Sequence, residues 1–398
     1  MEKKTVRDID VKGKRVLLRV DFNVPMDETG KILDNSRVYA SIPTIQYLVN
    51  HGARVIIAAH LGRPKGKPDS KYSLRPVVPR LSGMLGQPVG FAEDCIGPET
   101  ENLVNGMKNG DVLLLENVRF HAEEENGDPA FAKALVKLAD IYVDDAFGTA
   151  HRSHVSIIGV TKYLPAFAGL LLEKELATLG GLLTNPAHPF GSLLGGAKVS
   201  DKVALMENML KGRVDFFLVG GGMAATFLKA CGYEIGQSLF EEDRVAVATG
   251  LIQEVKGNGV QLILPVDVVV TDEVSEKGIH RTVSVDKVPK DMKIVDIGQK
   301  TIELFSAELK KCQTIFWNGP MGVYEIPQFA RGTEAMAKTI AGLHARTIIG
   351  GGSTAETVIN MGLAGKMTFI STGGGATMSF LSGETMPGVE VLLDKEQV

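Results

Sequence analysis

Two doubly wound α/β domains with mainly parallel sheets are the fold this sequence predicts, and three observations predict it. The apolar segments are continuous instead of alternating, as strands covered by helices on both faces require. They take turns with helical stretches almost from end to end. The chain, at 398 residues, is also too long for one small core and carries a turn-rich break near its middle.

In the first half, strands are expected at residues 15–22, 54–60, 111–117 and 141–147, with helices over 38–50, 74–85 and 129–139 between them. The second half repeats the pattern, with strands at 190–194, 216–219, 260–270, 314–317, 347–349 and 367–371. Its helices are expected at 203–210, 243–256 and 332–345. Between the halves, the stretch from Pro165 to Leu179 reads as a helix that starts just after a proline. Gly180-Gly181 and Asn185-Pro186-Ala187-His188-Pro189 follow it as turn signals, so the helix is expected to be a stiff connector between the domains.

Composition removes several function classes. Hydrophobic residues make up 44% and charged residues 23%, ordinary for a folded protein. The 43 basic and 47 acidic residues leave a net charge of −4, which argues against nucleic acid and against an anionic membrane surface. The N-terminus has no apolar signal segment and no run is long enough to span a bilayer, so a cytoplasmic location is expected. Cys95, Cys231 and Cys312 are scattered, without disulfide or metal spacing, and each is expected to be a small buried hydrophobe. Glycine is in excess, 45 residues where about 28 would follow from the usual ~7%, which suggests many tight turns or close backbone approach to ligands.

In open α/β sheets, ligands bind beyond the carboxyl ends of the strands. Those ends in the first half carry Asp21 and Asn23, then His60 with Arg63, then Arg119, then Asp144-Asp145 leading to His151, Arg152 and His154. Arg37 follows the first strand, just before a helix. Four arginines so placed in a near-neutral domain favour an anion pocket, because a planar guanidinium binds phosphate or carboxylate through two parallel hydrogen bonds. Asp21 and Asn23 either read hydroxyl groups, orient an arginine, or simply form the turn ahead of Pro25.

The second half supplies glycines. Gly195-Gly196 precede Ala197-Lys198-Val199-Ser200-Asp201-Lys202, whose two lysines are expected on one face of a starting helix. Triplets at 220–222, 350–352 and 373–375 each fall between a strand and a helix. Backbone N–H groups there approach a phosphate, and the helix N-terminus adds partial positive charge, so a polyphosphate ligand is expected. No Walker A motif exists. The first two triplets match the loose dinucleotide fingerprint, which leaves a nicotinamide-dependent dehydrogenase as the alternative, but neither is followed by the acidic residue that holds a ribose. Glu325 is a better ribose candidate, its plainer role being a solvated loop carboxylate. With no serine elbow, no cysteine beside a histidine and no metal-spaced cluster, phosphoryl transfer is the chemistry that suits two phosphate-bearing ligands.

Read together, seven segments resemble the phosphoglycerate kinase family, in the family's order and over essentially the whole chain. They are Arg15-Val-Leu-Leu-Arg-Val-Asp-Phe-Asn-Val-Pro25, Ala58-Ala-His-Leu-Gly-Arg-Pro-Lys-Gly66, Glu116-Asn-Val-Arg-Phe120 and Asp145-Ala-Phe-Gly-Thr-Ala-His-Arg-Ser-His154. The others are Gly195-Gly-Ala-Lys-Val-Ser-Asp-Lys202, Trp317-Asn-Gly-Pro-Met-Gly322 and Ser371-Thr-Gly-Gly-Gly-Ala376. The resemblance implies two Rossmann-like domains, with the C-terminal tail returning to the first through residues 381–387. Residues 1–165 plus 382–398 would bind phosphoglycerate, 166–185 would form the connecting helix and hinge, and 186–381 would bind nucleotide. It implies a cytoplasmic monomer of glycolysis that uses magnesium and reversibly passes phosphate from 1,3-bisphosphoglycerate to ADP, giving 3-phosphoglycerate and ATP.

Carried over by matching motif, Asp21, Phe22, Asn23, Arg37, His60, Leu61, Gly62, Arg63, Arg119 and Arg152 would hold the phosphoglycerate. Gly196, Ala197, Lys198, Lys202, Gly220, Gly221, Ile294, Asn318, Pro320 and Glu325 would hold the nucleotide, with Gly350, Gly351, Gly352, Ser353 and Thr354. Arg37 and Lys198 would neutralise the transferring group, assisted by the backbone N–H groups of Gly374 and Gly375. The family usually has aspartate, a magnesium contact, where this chain has Ser353. That departure leaves a weaker metal ligand and motivates a third reading, a nucleotide-binding regulator without activity.

Overall fold

A computed structural model describes residues 2–395 and divides the chain into two compact units. The first runs to Ala177 and resumes at Thr385; the second is Thr178–Glu384. Residues 1 and 396–398, included in the expected first domain, lie outside the described residues.

The first unit is built on six parallel strands: β1 (Arg15–Arg19), β2 (Arg54–Ala58), β3 (Val89–Ala92), β4 (Val112–Leu115), β5 (Ile141–Asp144) and β6 (Ala166–Ala168). Their order across the sheet is β3-β4-β2-β1-β5-β6, which puts β1 and β2 at the centre. Residues 16–19 and 55–58 are buried on both faces of these two strands, which is why the runs are apolar without alternation. Helices α1 (Ser36–Asn50), α2 (Val77–Leu85), α3 (Pro98–Asn105), α4 (Ala122–Asn126) and α5 (Pro129–Val136) occupy the connections. Val16, Leu18, Ile45, Leu48, Val55, Ile57 and Val143 meet in one core cluster. Each such buried aliphatic side chain contributes roughly 1.5–3 kcal/mol.

The expected strands 15–22 and 141–147 end early, at Arg19 and Asp144, so the polar residues beyond them sit on loops. The expected connector helix also needs correction. Ala166–Ala168 is β6, paired with Tyr142–Asp144 of β5, and the helix α6 (Leu170–Thr184) begins only after Gly169. Its start is set by Asp145, whose Oδ1 accepts the N–H groups of Leu171 and Leu172 at 2.9 and 3.1 Å. The division between the units falls inside this helix.

The second unit continues with β7 (Phe190–Leu194), β8 (Phe216–Val219), β9 (Gln261–Ile263), β10 (Asp267–Thr271), β11 (His280–Ser284), β12 (Lys293–Ile297), β13 (Thr314–Asn318), β14 (Arg346–Gly350) and β15 (Phe369–Ile370). Six of them form a parallel sheet in the order β15-β14-β13-β7-β8-β9. Helices α7 (Val203–Lys211), α8 (Met223–Ala230), α9 (Val245–Gly257), α10 (Gln299–Leu309), α11 (Arg331–Ala341), α12 (Gly352–Asn360) and α13 (Gly375–Leu381) connect the strands, over a core around Trp317, Phe305 and Met336. The single strand expected at 260–270 is instead β9 and β10, in different sheets. Pro265, which lacks a ladder donor, lies in the break. β10 is the middle of an antiparallel sheet ordered β11-β10-β12. That sheet escapes a search for apolar runs because β11, His280-Arg281-Thr282-Val283-Ser284, is largely exposed and polar.

After Glu384 the chain returns to the first unit through α14 (Pro387–Glu390). Gly388 N–H donates to Ala150 O at 2.8 Å, Leu393 N–H to Ala166 O at 3.0 Å, and Lys4 N–H to Leu393 O at 2.7 Å. Two smaller expectations fail. Lys198 lies on the loop and Lys202 on the turn ahead of α7, not on a helix face, and Cys231 is exposed, while Cys95 and Cys312 are buried.

Candidate active site

The site in the first unit grows from a charge inside an apolar strand. Arg19 ends β1 and is fully buried, so its guanidinium must be paired. Nε donates to Ser156 Oγ at 2.9 Å, Nη1 donates to Val20 O, and Nη2 faces His60 Nδ1 at 3.2 Å. Arginine has no acceptor, so Nδ1 accepts and neutral His60 carries its proton on Nε2. Burial holds the His60 pKa well below its ordinary value, and the charges of Arg19, Arg119, Arg37 and Arg152 push the same way. Behind this group, buried Glu124 accepts Ser156 N–H at 2.9 Å and Ser156 Oγ–H at 2.6 Å.

A second chain of hydrogen bonds crosses the strand ends. Arg37 donates to Asp21 Oδ2, while Asp21 Oδ1 accepts Asn23 N–H at 3.0 Å. Asn23 Oδ1 accepts Gly62 N–H at 2.9 Å, and Gly62 O accepts Arg119 Nη1 at 2.9 Å. Gly62 has φ +60°, and a Cβ there would lie 2.4 Å from the Tyr72 ring, so glycine alone fits. Arg119 is buried, and its Nε and Nη2 have no hydrogen-bond partner among the described residues. Glu125 approaches Nε as an ion pair at 3.4 Å. A buried guanidinium with idle donors is suited to an anion. His154 stays neutral here, pushed down to about 4 by burial and then by Arg119, Arg152 and Arg19.

Of the residues expected for phosphoglycerate, Asp21, Asn23, Arg37, His60, Gly62, Arg119 and Arg152 are joined by these hydrogen bonds and fields. Phe22 and Leu61 are buried beside them, and Arg63 is exposed on the loop after Gly62. Sequence reasoning missed Arg19 as the orienting group. The signal was present, a lone charge in Val16-Leu17-Leu18-Arg19-Val20.

The second unit has a cleft of about 280 Å³ where the loops after β7, β13, β14 and β15 converge. Gly196, Ala197, Lys198, Lys202, Asn318 and Pro320 line it, with Gly351, Gly352, Ser353, Thr354, Gly374 and Gly375. Backbones pass so closely here that a Cβ on Gly319 would lie 2.3 Å from the Gly195 carbonyl. α12 has no side-chain N-cap, which leaves its first N–H groups for a ligand. Lys202 is buried and donates to Asn318 Oδ1, and burial pushes its pKa down to about 8. Lys198 is exposed at the cleft wall.

Gly350, Gly220, Gly221, Ile294 and Glu325 do not line this cleft. Gly221 instead backs it, since a Cβ there would meet Gly196 N at 2.6 Å and Pro320 O at 2.7 Å. Ile294 sits on β12 opposite Val270, and Glu325 is exposed on the loop after β13. For a magnesium ion the lining offers little oxygen. Asp201 is its one carboxylate, Ser353 is an exposed hydroxyl, and Thr354 Oγ1 already accepts Gly319 N–H at 2.7 Å. This donor set fits an ion that arrives on nucleotide phosphates, not one caged by protein.

Comparison with known proteins agrees with two parallel-sheet α/β units. The family model described as phosphoglycerate kinase matches residues 6–384. The phosphoglycerate kinase of Pelotomaculum thermopropionicum is 55% identical over 395 residues, 99% of this chain and 100% of the relative. That of Dictyoglomus turgidum is 53% identical over 399 residues, again 99% and 100%. Among solved structures, phosphoglycerate kinase from Coxiella burnetii superposes with a TM-score of 0.88 at 39% identity, covering 98% of both chains. The enzyme from Pyrococcus horikoshii gives 0.85 at 36% identity, also over 98% of both. The chain belongs to the phosphoglycerate kinase family and is a phosphotransferase.

Proposed function

We propose that the arginine cluster of the first unit holds phosphoglycerate and the glycine-lined cleft of the second holds ATP or ADP. The reaction is the family's reversible transfer of a phosphoryl group from 1,3-bisphosphoglycerate to ADP, in glycolysis. The observation that carries the assignment of the first site is Arg119, a buried guanidinium near a neutral His60. Its Nε and Nη2 have no hydrogen-bond partner among the described residues, Nε facing only Glu125. Arg119, Arg152 and Arg37 bind the phosphate and carboxylate of the substrate, and His60 donates from Nε2, held in that tautomer by Arg19. In the ATP-consuming direction the attacking group is the substrate's own carboxylate, ionised at neutral pH, so no general base is required. What the protein supplies is position and charge.

Arg37 and Lys198 neutralise the transferring phosphoryl group, and N–H groups at 374–375 assist. Lys202 and the open N-terminus of α12 take the nucleotide phosphates. Magnesium neutralises phosphate charge when it enters with the nucleotide, and Asp201 and Ser353 are the oxygens the cleft offers it. The protein acts as a monomer in the cytoplasm, its partners being small molecules; no described helix is long and apolar enough to cross a membrane. Coupled turnover with 3-phosphoglycerate, ATP and magnesium tests the reading. Robust ADP formation that needs both substrates is expected, together with thermal protection by ATP and none by NAD. Nucleotide binding without turnover would leave the inactive-regulator reading standing instead.

A further inference from the structure

A second basin in the first unit takes no part in the sites above. It holds about 950 Å³ and is walled by Asp69, Glu93, Asp94 and Glu116 with Arg75 as their counter-charge. Glu116 is spent internally, accepting Ser73 Oγ–H at 2.6 Å and the N–H groups of Leu74 and Asn117, both at 2.8 Å. Glu93 pairs with Arg75. Asp94 is different. Its Oδ1 accepts His121 Nε2 at 2.7 Å and the Cys95 backbone N–H at 2.6 Å, and the Cys95 side chain next to it is fully buried. One ligand atom from each of Asp94, Cys95 and His121 lies within 4.8 Å of the other two. Asp94 and His121 belong to the basin wall, so the cluster opens onto solvent-filled space on one side.

We propose that Asp94, Cys95 and His121 form a binding site for a thiophilic divalent cation of the zinc class, with its fourth coordination position open to the basin. The donor set decides the class. Sulfur, imidazole nitrogen and one carboxylate oxygen in a tight triangle suit a tetrahedral zinc-type ion, whereas magnesium and calcium require mostly oxygen. Charge agrees, because a thiolate and a carboxylate together cancel a divalent cation beside the buried Cys95. Binding releases the thiol proton and the His121 Nε2 proton that Asp94 had accepted. The thiol proton goes to solvent. The Nε2 proton goes to solvent from a doubly protonated ring or is replaced by one taken up at Nδ1 from solvent, so that His121 ligates as a neutral ring protonated on Nδ1. The ion would tie the loop after β3, which carries Asp94 and Cys95, to the turn after β4, which carries His121.

The test is titration of the reduced, chelator-treated full chain with cobalt(II), followed by displacement with zinc(II). The expected result is a thiolate-to-cobalt charge-transfer band with the intense visible bands of tetrahedral cobalt, saturating at one ion per chain and erased by zinc. Cys95→Ser should lose the charge-transfer band. His121→Asn should weaken zinc binding by more than the ~100-fold upper end of what loss of an outer-shell partner costs. Cys231→Ser, at the exposed thiol, should leave both unchanged. No band in the parent, a band that survives Cys95→Ser, or one that vanishes with Cys231→Ser would overturn the proposal. Should Cys95→Ser fail to fold, His121→Asn decides it, because unchanged zinc affinity there is incompatible with the site.

Discussion

Lys202 shows how one residue's environment sets the chemistry of the cleft proposed to hold nucleotide. Buried and bonded to Asn318, it has a pKa near 8 without ligand, and a polyphosphate beside it favours the charged form. Nucleotide binding at pH 8 and somewhat above should therefore take up a proton, and affinity should fall as pH rises through that range. Calorimetry in buffers of different ionisation enthalpy measures the uptake, which Lys202→Met should abolish; undiminished uptake in that variant places the proton elsewhere. Arg37 poses a different question, since in the ligand-free protein its charge is spent on Asp21. Arg37→Ala should lower kcat at least ~10²-fold, the scale of losing one preorganised charge contact. A rise in KM with kcat intact would make Arg37 a ground-state binder only.

At the scale of elements, the start of α6 is held by close packing and not by propensity. A Cβ at Gly169 would lie 2.1 Å from Asp145 Oδ1 and 2.7 Å from Asp145 Cβ, and that carboxylate is fixed by two helix N–H groups. Gly169→Ala should therefore cost about 1–3 kcal/mol, as overpacking and loss of buried hydrogen bonds do. Gly180 lies within the same helix with nothing within 4 Å of its would-be Cβ. Gly180→Ala should stabilise by ~0.5–1 kcal/mol, because alanine is the better helix former. Thermal or urea unfolding of the two variants measures the contrast, and equal shifts would refute the packing account.

For the whole molecule, the two proposed sites lie on two units with separate cores, so each ligand should protect its own half first. Hydrogen exchange with ATP and magnesium should slow at residues 351–354 and 374–375, and with 3-phosphoglycerate at Asn23 and Gly62. Protection of both sets by either ligand alone would mean the sites are not independent. The return of the C-terminal segment makes the first unit discontinuous, so removing residues from Thr385 onward should destabilise that unit.

The α/β alternation, the central strands β1, β2, β7 and β13, and the order of the glycine loops are legible in the residues alone, because a strand buried on both faces must be apolar throughout. Most of the cleft lining was legible too, since tight strand-to-helix turns need glycine whatever surrounds them. Other features depend on partners far away in sequence. β6, three apolar residues directly ahead of a helix, is a strand because β5 offers it a ladder, and β11 is one because β10 does, although β11 carries no strand's apolar signature. The tautomer of His60 is set by Arg19 and the idle donors of Arg119 by what its loop leaves unpaired. Local periodicity determines which segments bury, whereas pairing, protonation and the meeting of Asp94, Cys95 and His121 are decided by contacts that only the folded chain creates.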